Sequence, residues 1–163
     1  MFLNPKFAAV AVLALGSLLA SQHDGQAVAG PFTAMAGSWS GSGTMTTSGG
    51  QEERLRCRAA YQVDGSGDNV RLNLRCASES YNFNLTGEFE NRRGALSGSW
   101  SESTYNASGT VSGRASANEV QAAARGDTFS ANLSVRTQGN RQAVSIQSQG
   151  ASVTGISITL NKQ

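Results

Sequence analysis

Residues 54–76 read RLRCRAAYQVDGSGDNVRLNLRC, and along them polar and apolar side chains trade places at every second position. Leu55, Cys57, Ala59, Tyr61 and Val63 share the odd phase, with Arg54, Arg56, Arg58 and Gln62 on the even one. Beyond Asp64-Gly65-Ser66-Gly67-Asp68-Asn69 the pattern resumes, with Val70, Leu72, Leu74 and Cys76 on one side and Arg71, Asn73 and Arg75 on the other. Successive residues of a strand point to opposite faces, so this is a β-hairpin with one dry face and a polar turn. Pairing Val63 with Val70 carries Tyr61 opposite Leu72, Ala59 opposite Leu74 and Cys57 opposite Cys76. The register thus brings the only two cysteines side by side on the buried face. A structural disulfide is the expectation, closing a loop of about 20 residues. A redox pair is disfavoured, because there is no Cys-x-x-Cys and no neighbouring histidine or helix N-terminus to lower a thiol pKa.

The alternation extends both ways along the chain. A first strand covers Gly37 to Met45, and later phases run Tyr81, Phe83, Leu85, Gly87, Phe89; Leu96, Gly98, Trp100; and Tyr105, Ala107, Gly109, Val111, Gly113. Then follow Val120, Ala122, Ala124; Phe129, Ala131, Leu133, Val135; Val144, Ile146; and a last strand from Val153, in which Gly155 shifts the phase and implies a bulge. Short Gly, Asn, Asp and Ser turns separate them, and only the N-terminal segment lacks the period of two. About ten hairpin-linked strands in one small domain favour closure, which removes the exposed sheet edges. The fold class expected is all-β, an antiparallel up-and-down barrel of about 8–10 strands. Both tryptophans stand among glycine and serine, in Gly37-Ser38-Trp39-Ser40-Gly41-Ser42-Gly43 and Ser97-Gly98-Ser99-Trp100-Ser101. Inward glycines let strands bend and leave volume for the rings. A register with Gly87 beside Gly98, and Gly98 near Ala107 or Gly109, would form a row of missing side chains across the sheet.

The chain opens with one lysine, an apolar run from Phe7 to Ala20 and the small-x-small triplet Ala27-Val28-Ala29. Residues 1–29 therefore read as a secretory signal peptide, too short in its apolar run for an ordinary membrane span. Residues 30–163 form a single domain of about 134 residues, and export makes it periplasmic or secreted. Cleavage also removes His23, the only histidine. Histidine-based nucleophilic catalysis, haem ligation through histidine and the usual zinc sites are then excluded, and neither metal nor cofactor is expected. Glu52-Glu53, Glu119 and Asp127 lie near turns without the spacing of a catalytic carboxylate pair, so no catalytic residue and no enzymatic activity is assigned. Eleven arginines face one lysine in residues 30–163, but the whole chain carries only +2, which weighs against nucleic acid as a partner.

The Gly-x-Trp of residues 37–39 resembles the opening strand of the calycin barrels, which comprise lipocalins, fatty-acid-binding proteins and nitrobindin-like barrels. The resemblance implies a barrel closed at one end by Trp39, with a basic residue from a late strand packed on it; Arg136, Arg141 and Lys162 are the candidates. It also implies a cavity for small apolar molecules. The segment Thr46 to Gln51 is too short for the helical lid of a fatty-acid-binding protein, and the haem-ligating histidine of nitrobindin-like barrels has no counterpart.

Two functions follow. In the first, Trp39, Tyr61, Phe83, Phe89, Trp100, Tyr105 and Phe129 line a cavity that holds a small apolar or amphipathic ligand, as the small inward residues of a barrel this wide favour. In the second, the outer face bearing Arg54, Arg56, Arg58, Arg71 and Arg75 contacts anionic lipid or cell-wall groups, unless Glu88 and Glu90 neutralise it. A membrane-spanning barrel is disfavoured, since it needs a continuous apolar band facing lipid.

Overall fold

The structure is a computed structural model and describes residues 27–163. The expected leader falls almost wholly outside them. Ten strands follow a short 3-10 turn at Thr33–Met35. They are β1 (Gly37–Thr47), β2 (Glu52–Val63), β3 (Asn69–Ala77), β4 (Asn82–Arg92), β5 (Ala95–Glu102), β6 (Ala107–Ser116), β7 (Glu119–Gly126), β8 (Ser130–Gln138), β9 (Arg141–Gln149) and β10 (Val153–Lys162). Each pairs antiparallel with the next, and β10 pairs with β1, so the sheet closes into a barrel without a free edge.

The hairpin of residues 54–76 has the register that its alternation dictates, from Val63 opposite Val70 to Cys57 opposite Cys76. The two cysteines form a disulfide with their Cα atoms 4.1 Å apart. The bulge expected near Gly155 is present: Thr46 pairs with Gly155 and Thr47 with Val153, leaving Thr154 as the extra residue. Its hydroxyl donates to the carbonyls of Thr46 and Thr47, which ties the irregular step back into the ladder. Between β4 and β5 the two turn residues Arg93 and Gly94 both have positive φ, the backbone twist that two-residue hairpins favour.

The expected row of glycines is corrected. Gly87 pairs with Trp100 and Gly98 with Phe89, and Gly109 lies on the other side of Trp100. A Cβ on Gly87 or Gly98 would run into the Phe89 ring, and one on Gly109 would reach the Trp100 ring at 3.0 Å. These three glycines therefore each lie against a ring, from the neighbouring strand at Gly98 and Gly109 and from the same strand at Gly87. Volume vacated by a missing side chain is filled by a ring, as close packing of an interior requires.

Tyr105 is a second correction. It stands in the turn between β5 and β6, 52% exposed, and not on a strand. Glu102 explains this, since its carboxylate accepts the backbone N–H groups of Thr104 and Tyr105 and turns the chain before Tyr105 can pair.

Candidate functional site

One end of the barrel is closed by the segment before β1. Gly30 and Phe32 donate their backbone N–H groups to the carbonyls of Ser66 and Gly67 in the β2–β3 turn, which lays residues 30–36 across the opening. That turn is itself built around Asp64, whose carboxylate accepts N–H groups from Gly67, Asp68 and Asn69 and the Ser66 hydroxyl. The Asn69 and Ser66 side chains lead in holding Asp64 ionised, with a pKa down at about 2. Phe32 and Trp39 are each 1% exposed, and the Trp39 indole N–H donates to the Met35 carbonyl at 2.8 Å. Of the three basic candidates Lys162 takes the place on the tryptophan, its Nζ 5.6 Å from the ring centre. Arg136 instead pairs with Glu119 on the outer wall. Tyr61, also on the inward phase, donates its hydroxyl to fully buried Gln142, which in turn donates to Thr137. Burial pushes the Tyr61 hydroxyl far above the ordinary phenol range, so it stays protonated.

Beyond that plug the core continues through Met45, Leu55, Cys57, Val111 and Ile158, but burial along the inward phase is uneven. In β3 the residues facing outward are exposed, while Leu72 and Leu74, on the inward phase in mid-strand, are only half-buried. The same holds for Leu85 on β4, Leu133 and Val135 on β8, and Val144 and Ile146 on β9. These aliphatic groups pack against the buried core without being fully covered. Inward-phase charge is confined to the ends: Lys162 on Trp39 at the plugged end, and at the other Glu53 and Glu102, each engaged by backbone N–H groups.

Toward the second end Met45 and Leu55 are fully buried, and aromatic side chains line part of the rim. Tyr81 and Phe83 stack with centres 6.1 Å apart, Tyr105 packs tilted on Phe83 at 5.9 Å, and Phe129 packs tilted on Trp100 at 5.4 Å. The seven aromatic residues singled out as cavity lining thus divide. Trp39 and Tyr61 belong to the closed end, Trp100, Phe83 and Phe129 to the second end, Phe89 to the wall over Gly87 and Gly98, and Tyr105 to the rim. Two shallow concave places on the outer wall mix polar and inward-phase residues, Gln62, Arg71 and Glu88 with Val70 and Phe89 in one, and Gln121, Asn132 and Ser134 with Ala122 and Leu133 in the other.

Sequence reasoning missed three parts of the site. The Phe32–Met35 plug carries no period, Gln142 looks like any polar residue next to a turn, and Glu102 keeps the inward phase of β5 while serving the turn after it. Only the parity of Gln142 and Glu102, polar residues in apolar phases, could have singled those two out.

On the outer wall Arg54, Arg56, Arg58 and Arg75 are exposed, with Arg58 directly opposite Arg75. Arg71 leaves the group by pairing with Glu88 at 2.8 Å. None of the other four enters an ion pair among the described residues. The rest of the outward phase is mainly Ser, Thr, Asn, Gln and charged residues with scattered alanines, so the wall offers lipid no continuous apolar band.

Several solved structures share this fold. Rv2717c from M. tuberculosis superposes with a TM-score of 0.63 at 12% identity, over 80% of this chain and 94% of its own. The S-type phycobiliprotein lyase CPES from Guillardia theta gives 0.53 at 13% identity, over 81% of this chain and 90% of its own. No protein-family model matches the chain, and neither does any curated protein. At these identities the likeness is one of architecture, and it coincides with the barrel that the Gly-x-Trp motif implied.

Proposed function

We propose that the chain is an exported, calycin-type carrier that holds a small apolar or amphipathic molecule in its barrel and performs no chemistry on it. The observation that carries this reading is the partial burial of Leu72, Leu74, Leu133, Val135, Val144 and Ile146, inward apolar groups packed against the core without full cover, which a ligand in the barrel would complete. A closed barrel plugged at one end and lined by aromatic residues along part of the other rim presents those groups to a ligand from one direction. Export accords with the leader pattern and with a disulfide, which persists in oxidising compartments. Native mass spectrometry of protein purified from the periplasm or medium should show a small molecule carried along. The apo protein should take up the neutral dye N-phenyl-1-naphthylamine with a rise in fluorescence. A clean apo mass together with no dye uptake would refute the carrier reading.

A second reading has its own support in the Arg58–Arg75 pair. Like charges directly across a ladder destabilise it, and this pair has no acidic neighbour bound to either member. With Arg54 and Arg56 they form a cationic strip that suits phosphate or carboxylate groups of an envelope component. Replacing Arg54, Arg56 and Arg58 by Ser should abolish retention on anionic vesicles or cell-wall sacculi. Unchanged retention would remove the strip from consideration.

A further inference from the structure

We infer that the indole N–H of Trp100 is the lumen's hydrogen-bond donor to its cargo, and that the cargo is a neutral apolar molecule bearing a carbonyl-type acceptor. The inference rests on the carrier reading and adds to it the chemistry of what is carried.

Both tryptophans sit on inward phases in the same glycine-serine setting, yet their polar atoms fare differently. Trp39 Nε1 reaches the Met35 carbonyl. Trp100 Nε1, in a residue 7% exposed, is the one buried side-chain polar atom with no partner among the described residues. Buried donors in native proteins are nearly always paired, because withdrawing an N–H from water without an acceptor costs stability. A phenylalanine would occupy the place without that cost. The unpaired donor therefore points to a partner from outside the chain.

The surroundings say where such a partner comes from. The Cζ2 edge of the indole, on the nitrogen's side of the ring system, lies over Gly109 and Gly126 on β6 and β7, where an added Cβ would come within 3.0 and 3.4 Å of it. Around it the inward phase is apolar, with Leu85, Val111, Ala124 and Ala131. Phe129 packs tilted against the indole, its ring centre 5.4 Å away.

Charge narrows the class further. Lys162, the inward cation, is committed to Trp39 at the opposite end. Glu102, two residues beyond Trp100 on the same strand, is held ionised: burial opposes this, but the backbone N–H groups of Asn84, Tyr105 and Thr104 prevail. A carboxylate head group at Trp100 would find no counter-ion and would meet a like charge. A ketone, ester or quinone oxygen needs only the donor.

The test uses three molecules of similar shape competing for N-phenyl-1-naphthylamine in the full chain. Benzophenone and diphenylmethane differ by a carbonyl in place of a methylene, and 4-benzoylbenzoate adds a carboxylate. The wild type should bind benzophenone about five- to tenfold more tightly than diphenylmethane, the gain of one hydrogen bond. The carboxylate should bring no gain, and Trp100→Phe should bring the ketone-to-hydrocarbon ratio to about one. In ¹⁵N-labelled wild type the Trp100 indole N–H resonance should move with benzophenone and stay with diphenylmethane, while that of Trp39 stays with both. This arm decides even if the variant does not fold. Equal displacement by the pair, a preference that survives Trp100→Phe, or a silent Trp100 resonance would overturn the inference and leave the carrier standing. Absence of dye uptake by the wild type would remove the carrier reading itself.

Discussion

Glu102 shows what one residue on the wrong phase can do. It faces inward on β5, where its neighbours across the ladder are Leu85 and Ala107, yet its carboxylate stays ionised by accepting backbone N–H groups from Asn84, Thr104 and Tyr105. Burial raises its pKa and the three donors lower it, with the net displacement downward. Such a group contributes stability that is complete above its unfolded pKa and is lost as pH falls through the lower folded value. Glu102→Gln should therefore destabilise the protein by about 1–3 kcal/mol at pH 7, since an amide leaves some of the donors poorly matched. The difference between wild type and variant in thermal unfolding should shrink as pH drops below about 4. A gap that stays constant down to pH 3 would mean that the carboxylate is not what holds the turn.

At the scale of strands, the seam between β1 and β10 decides whether the barrel closes. A Cβ on Gly41 would strike the Thr159 carbonyl, and one on Gly43 that of Ser157, so the two backbones cross where any side chain would stand. Gly41→Val should leave a sheet that cannot close. Loss of cooperative unfolding by circular dichroism, or aggregation through the freed edges, is the expected outcome. Wild-type unfolding in that variant would show that β1 need not approach β10 so closely. The Cys57–Cys76 bond acts on the seam between β2 and β3. Iodoacetamide without reductant should leave the mass unchanged, and reduction should lower stability by about 3 kcal/mol. How legible all this was follows from the physics of each element. The β2–β3 hairpin could be read to the residue because its arginines and aliphatics alternate without a fault and its turn is unmistakable. The β4–β5 register could not, because glycine gives no phase of its own, and two alignments differing by two residues keep the same parity. Parity likewise placed Trp39, Tyr61 and Trp100 inside, but it is silent on depth along the barrel. The division of the aromatic residues between plugged end, wall and rim depends on strand tilt, to which no pattern of two responds.

The molecule as a whole is a tube whose two ends are finished by different means, turns and aromatic rims at one and a folded-back segment at the other. The segment is tied through its own apolar side chains, the Trp39–Met35 hydrogen bond and a pair of backbone hydrogen bonds to the β2–β3 turn, whereas the ten strands form a continuous ladder around the barrel. Stability of the plug and stability of the wall are therefore separable. Phe32, 1% exposed, is the largest side chain the plug contributes. Phe32→Ala should cost about 3–5 kcal/mol if the cavity does not collapse, with the far-ultraviolet circular dichroism of the barrel retained. It should also open a second route to the lumen, so that N-phenyl-1-naphthylamine enters and leaves faster than in the wild type. Trp39 reports on the same event, because losing the plug removes the Met35 carbonyl from its indole N–H and admits water, which should shift its emission to longer wavelength while Trp100 is little affected. Asp64 gives an independent handle: as pH falls from about 4 towards its folded value near 2, protonation should loosen the turn that anchors Gly30 and Phe32 and reproduce the faster exchange in the intact chain. Dye exchange indifferent both to Phe32→Ala and to that pH interval would mean that the lumen is entered only through the aromatic rim and that the plug serves the fold alone.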